Sequence, residues 1–142
     1  SLFALASLAV LGLKDTAQAQ QTGPEWCPVS HKCTPEEKAA EACIEIYQPA
    51  LGVYEDKTYQ LFGNGCIACV EDGIYKYYQM SMCDPSYEVG GICTLEYSPV
   101  CGLTEDRQLK EYGNRCGACT SGEVESYFPG HCPNRLAGPH DA

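Results

Sequence analysis

Cys93-Thr-Leu-Glu-Tyr-Ser-Pro-Val-Cys101, followed by Tyr112-Gly-Asn-Arg-Cys116-Gly-Ala-Cys119, has a counterpart earlier in the chain. It reads Cys43-Ile-Glu-Ile-Tyr-Gln-Pro-Ala-Leu51 and then Phe62-Gly-Asn-Gly-Cys66-Ile-Ala-Cys69, displaced by 50 residues throughout. The same offset carries Cys33 onto Cys83. Self-similarity at one fixed period marks a repeated structural unit rather than one large domain.

Two cysteines of the second repeat have no counterpart. Shifted back by 50, Cys101 and Cys132 land on Leu51 and Met82, so both are missing from the first repeat together. Joint absence is expected if Cys101 and Cys132 bond to each other, since losing one partner alone leaves a free thiol. Leu51 and Met82 are then expected to pack where a bridge would be. Ten of the 11 cysteines fall in the repeats and Cys27 is left over. An odd cysteine suggests an intermolecular bridge, a contact within the tail or a free thiol. A Cys27 to Cys33 pairing is the alternative, although the fixed offset favours Cys33 as a member of its repeat.

Eleven cysteines in 142 residues is the density of small disulfide-stapled modules that function outside the cytosol. The 19 acidic against nine basic residues give a formal charge of −10. That balance repels phosphate backbones and anionic lipid, so no nucleic-acid partner is expected. At the amino terminus, the apolar run Leu2 to Leu13 precedes Ala17-Gln18-Ala19, which fits a secretory signal ending at residue 19. A retained apolar anchor over 1–19 is the alternative. Both readings place the cysteine-rich part outside the cytosol, and a secreted protein is expected.

The quoted motifs of the second repeat, with a last Cys132, resemble Kazal-type serine protease inhibitor domains of the ovomucoid-like kind. Residues 83–132 resemble the family well and 33–82 more loosely. The resemblance implies a small disulfide-rich α+β fold of tandem modules, each a short helix on a small antiparallel sheet. Residues 20–32 would form an N-terminal tail, 33–82 an atypical module lacking one disulfide, 83–132 a complete module, and 133–142 a C-terminal tail. The implied bridges are Cys83 to Cys119, Cys93 to Cys116 and Cys101 to Cys132, with Cys33 to Cys69 and Cys43 to Cys66 in the first repeat. Two departures are expected to matter. The 14 residues between Cys101 and Cys116 lengthen a hairpin, and the 12 between Cys119 and Cys132 shorten the helix.

Within that frame, Asn114 is expected to cap a helix from near Arg115 that stops by Gly122, and Asn64 to cap its equivalent. Strands are expected over 108–112 and 124–128, and over 59–62 and 74–82, with Tyr75, Tyr77 and Tyr78 covering the first sheet. Thr34-Pro35-Glu36-Glu37 carries a capping box and predicts a further helix between Cys33 and Cys43. A unit of 50 residues buries little apolar surface, so the two-bridge repeat should be the weaker one. The polar ends, 20–26 and 133–142, read as loosely ordered.

The family pattern makes Leu95 the residue offered to a protease specificity pocket, with the scissile bond before Glu96. Thr94 and Tyr97 flank it, and Asn114 would bond the loop backbone on both sides. Leucine suits chymotrypsin-like, elastase-like or subtilisin-like serine proteases, and not trypsin-like ones. The first repeat has Ile44, Glu45, Ile46 and Asn64 at the same positions, and a scaffold or pairing role is the preferred reading there. The alternative for the whole chain is a structural or adhesive Kazal-like subunit of an extracellular or membrane-associated assembly. Cys27 or the N-terminal apolar segment would then contact a partner chain.

The two Cys-x2-Cys pairs also suit half a zinc site or a redox dithiol, but the other repeat cysteines favour structural disulfides. His31, His131 and His140 share no ligand spacing and are expected to be solvated, so no metal or cofactor is expected. No serine sits in a nucleophile-elbow motif, so no enzyme is expected.

Overall fold

A computed structural model describes residues 26–140. The expected signal at 1–19 lies outside the described residues. The chain is a small disulfide-rich α+β protein with short helices and two mainly antiparallel sheets. The first sheet contains β1 (His31–Lys32), β2 (Ala50–Tyr54), β3 (Thr58–Phe62), β4 (Ile74–Gln79) and β9 (Gly138–Pro139), in the order β1-β4-β2-β3-β9. The second contains β5 (Ser81–Met82), β6 (Val100–Thr104), β7 (Leu109–Tyr112) and β8 (Val124–Pro129), in the order β5-β8-β6-β7. Three helices accompany them: α1 (Pro35–Lys38), α2 (Gly65–Val70) and α3 (Arg115–Cys119).

The 50-residue offset holds in the strand register. Leu51 faces Leu61 and Tyr78 across its neighbours, and Cys101 faces Glu111 and Phe128. Both central strands shift register at equivalent places, Val53/Tyr54 and Leu103/Thr104. Side chains alternate between the faces of a strand, which divides each repeat's apolar residues into two sets. One set packs beneath its own helix: Tyr54, Phe62 and Ile74 with Ala68 in the first repeat, and Val100, Val124 and Tyr127 with Ala118 in the second. The other set forms a single core between the sheets. Leu51, Val53, Tyr59 and Tyr78 meet their equivalents Cys101, Leu103, Leu109 and Phe128 there. The repeats therefore pack through equivalent faces of their sheets. A sheet covered on both faces needs a nearly continuous apolar centre, and Ala-Leu-Gly-Val-Tyr of β2 is buried at every position.

Several expectations need correction. The strand expected over 74–82 divides at Met80, whose N–H donates to Pro49 O at 2.9 Å. Ser81 and Met82 then pair with Tyr127 and Ser126 of the second sheet, so the second unit begins two residues before Cys83. Met82, expected to fill a lost bridge, is 46% exposed, and Met80 at 4% takes the buried place beside Leu51. His31 and Lys32, assigned to the tail, pair with Tyr77 and Lys76. Helix α3 runs from Arg115 to Cys119 and stops ahead of Gly122 as expected, and the Thr120 hydroxyl donates to Cys116 O (2.7 Å) and the Ser121 hydroxyl to Ala118 O (2.6 Å) at its last turn.

Residues 137–140 are not loose. Ala137 and His140 N–H donate to Lys57 O and Tyr59 O, laying β9 parallel to β3. His140 stacks on Tyr54 with ring centroids 3.7 Å apart and reaches Thr58 Oγ1 at 2.8 Å. The other two histidines are engaged as well. His31 contacts Glu37 at 2.9 Å and His131 contacts Glu111 at 2.7 Å. At α1, Thr34 and Glu37 form the capping box, and the Thr34 N–H with His31 holds the Glu37 carboxyl below its usual range.

Candidate functional site

Five disulfides fix the framework: Cys33–Cys69 and Cys43–Cys66 in the first repeat, and Cys83–Cys119, Cys93–Cys116 and Cys101–Cys132 in the second. Cys27 is free and exposed. The cysteines of each Cys-x2-Cys pair bond outward, to partners more than 20 residues away, and not to each other. Among the described residues, no group of three or more His, Cys, Asp or Glu is placed to hold a metal ion.

The sequence-predicted residues of the second repeat converge on one loop. Asn114 has extended backbone just ahead of α3, so its side chain folds back over the helix start, and Oδ1 accepts from Gly117 N–H at 2.7 Å. That leaves the amide NH2 pointing at the segment after Cys93. A primary amide has two donors, and both are used. Nδ2 donates to Thr94 O at 3.2 Å and Glu96 O at 2.8 Å, one on each side of Leu95. The loop is tied upstream by the Cys93–Cys116 bridge. Downstream, Ser98 N–H donates to Gly113 O (2.8 Å) and Pro99 is fully buried. Between these ties Leu95 stands 97% exposed, on a backbone bound to the fold on both sides of it. Burying a leucine is worth about 1.5–3 kcal/mol, so this side chain withholds from the fold what a partner can gain.

The second anchor of this loop is held by a hydrogen-bonded carboxylate. Glu111 lies opposite Cys101 in the sheet. Its carboxylate accepts from His131 Nδ1 (2.7 Å) and from Cys132 N–H (3.0 Å), fixing the far end of the Cys101–Cys132 bridge. These bonds, His131 first, hold its carboxyl below the usual range. A cleft of about 400 Å³ lies behind the loop, lined by Tyr87, Thr94, Glu96, Asn114, Arg115 and Tyr127.

The first repeat builds the same loop. Asn64 Oδ1 accepts from Ile67 N–H, and Nδ2 donates to Ile44 O at 3.0 Å and Ile46 O at 2.9 Å, one on each side of Glu45. Glu45 is exposed and has no hydrogen-bond partner among the described residues. The loss of the third bridge, expected to loosen the far end, is offset by residues that sequence reasoning missed. Gln79 Nε2 donates to Gln48 O (3.2 Å) and Pro49 O (3.0 Å), and Leu51 is fully buried. Pro129 occupies the equivalent of Gln79 in the second repeat and has no such donors.

No family model, no curated protein and no solved structure matches the chain. Among the described residues, no helix is long and apolar enough to cross a membrane.

Proposed function

We propose that the protein is a secreted inhibitor of serine proteases, built from two Kazal-like modules and acting through a substrate-like loop at Leu95-Glu96. The observation that carries the reading is the Asn114 amide, which bonds the loop backbone on both sides of Leu95 while capping α3. A protease binds its substrate extended, and a flexible peptide loses conformational freedom in adopting that shape. A loop already held avoids much of that cost and binds more tightly for the same contacts. The same bonds act after the chemistry. If the protease serine attacks the Leu95 carbonyl and the bond to Glu96 opens, Asn114 retains both carbonyl-bearing strands. The new amine then stays beside the acyl carbon, and resealing competes with release. Five disulfides support the assignment to an oxidising extracellular compartment.

Leucine fits an apolar specificity pocket, so chymotrypsin-like, elastase-like and subtilisin-like enzymes are the expected targets. The test is a titration of the protein against one of each, with Leu95→Asp as control. Stoichiometric inhibition lost in the variant supports the reading. Failure to inhibit any of the three, by correctly bridged protein, would replace it with the structural or adhesive subunit.

Loop one carries a second reading, favoured by the two Asn64 bonds about Glu45. It would be read by a protease whose pocket holds basic groups. A Glu-preferring serine protease, titrated in a Leu95→Lys background whose charge such a pocket repels, tests it independently of loop two. Binding abolished by Glu45→Lys supports it, and absence of binding leaves loop one as scaffold.

A further inference from the structure

We infer that Trp26 is a positioning residue for loop two, so that the segment ahead of the first repeat forms part of the binding surface of the second. The inference rests on the reading of loop two given above. Tyr97 lies two residues past Leu95 on the downstream side of the loop and is 60% exposed. Its ring meets Trp26 edge to face, with centroids 6.2 Å apart and planes at 89°. This is a favoured geometry for two aromatic rings, which places the positive edge of one against the negative face of the other.

A second observation, independent of the rings, shows that the segment is seated. His131 N–H donates to Trp26 O at 2.8 Å. Gly130, at φ +102°, passes directly beneath the segment. A Cβ there would lie 2.7 Å from Trp26 O and 2.8 Å from Pro28 N, closer than packed atoms approach. Gly130 N–H donates in turn to Pro99 O at 2.8 Å. Residues 26–28, 97–99 and 130–131 thus meet at one place. In the first repeat, Met80 stands at the equivalent of Gly130 with its side chain buried in the shared core, so that repeat lacks this cradle.

The consequence concerns the downstream side of the scissile bond. Asn114 fixes the backbone as far as Glu96 O, and the next backbone tie is at Ser98. The Tyr97 side chain between them is steadied by Trp26. Holding that ring lowers the ordering cost when a protease covers it, and keeps the Glu96 strand in place after cleavage. Loss of one edge-to-face pair corresponds to about a fivefold weakening.

Trp26 is the single tryptophan of the chain, so intrinsic fluorescence of the free protein reports this place alone. Acrylamide quenching of wild type is compared with Tyr97→Ala, and inhibition of a chymotrypsin and a subtilisin is compared among wild type, Trp26→Ala and Trp26→Phe. The expected result is stronger quenching in Tyr97→Ala. Trp26→Ala should inhibit about fivefold less well, release the protease faster and accumulate more chain cut at Leu95-Glu96 at equilibrium. Trp26→Phe should restore most of the loss, and thermal unfolding should move little in either variant. A Trp26→Ala protein that inhibits and is cut as wild type overturns the inference alone. Wild type that inhibits neither of these enzymes, nor an elastase, overturns the reading of loop two and this inference with it. Quenching unchanged by Tyr97→Ala overturns the contact without involving any protease.

Discussion

Tyr78 and Phe128, 50 positions apart and therefore equivalent, stack on one another at 4.7 Å with their planes 14° apart. Each faces the central strand of its own sheet, opposite Leu51 and Cys101. A contact between equivalent residues is the mark of an isologous interface, here within one chain. Phe128→Ala should cost about 3–5 kcal/mol and lower the stability of both repeats together in one denaturant transition. Tyr78→Ala combined with it in a double-mutant cycle should show a coupling of about 1 kcal/mol. Two separate transitions in wild type would refute the shared core.

Asn114 has two tasks that one substitution can separate. Asn114→Asp keeps an acceptor for Gly117 N–H, so α3 stays capped, but it has no N–H for Thr94 O and Glu96 O. Stability should change by less than about 1 kcal/mol. On the proposed inhibitory reading, inhibition should weaken about 10- to 100-fold and cleavage at Leu95-Glu96 should accelerate, because two loop bonds are lost. Inhibition constants and mass spectrometry of the cut chain, measured beside thermal melts, check this.

Removing Cys101–Cys132 by a double substitution to alanine should destabilise the protein by about 3–4 kcal/mol, from the loop that the bridge closes. Chemical denaturation measures it. The damage should fall on loop two, whose far end depends on this bridge. Loop one, held by Gln79 and Leu51, should lose hydrogen-exchange protection at Gln48 by no more than the global loss of stability.

Glu111 predicts an acid limb of stability. Its folded carboxyl titrates below the usual value because His131 and Cys132 N–H bond the charged form. A depressed folded value gives stabilisation that is complete above the ordinary pKa and is lost as pH falls towards the folded one. Melting temperature should therefore decline between about pH 5 and pH 3 in wild type, and decline less in Glu111→Gln. Equal slopes in the two proteins would remove the group from the account.

Equivalent positions at the two helix starts should differ in their response to alanine. A Cβ on Gly65 would stand 2.4 Å from the Tyr77 ring, so Gly65→Ala should cost about 1–3 kcal/mol by overpacking. Arg115 occupies that place in the second repeat and is exposed, so Arg115→Ala should stay within about 0.5 kcal/mol. Urea midpoints of the two variants decide it.

What the sequence reveals here is local or periodic. The Cys33/Cys83 offset, the capping asparagines 64 and 114 and the capping box at Thr34 each write their geometry into a few neighbouring residues. The loops could be placed because Asn and Cys stand at fixed distances from them. The joining of the two sheets could not be foreseen, because Leu51, Tyr78 and Phe128 look like the core of any small sheet, and nothing local tells which second face covers them. The central strands β2 and β6 carry their signal as short apolar runs, Ala50 to Tyr54 and Val100 to Leu103, easily read as parts of a hairpin. The roles of Gln79, Trp26 and residues 137–140 were hidden for another reason. Each acts through one hydrogen bond or ring contact with a segment far away in sequence, and such contacts leave no periodic trace.

The crossing of the two flanking segments sets this protein apart from a string of independent modules. Residues 26–28 sit on the second repeat and residues 137–140 on the first. A gene fragment cut at the cysteine boundaries would therefore lose, from each half, a piece encoded beyond the other half. The two repeats are therefore mutually dependent in structure. Either repeat transplanted alone would carry away an incomplete part, because the strand or cradle that completes it lies beyond the other repeat.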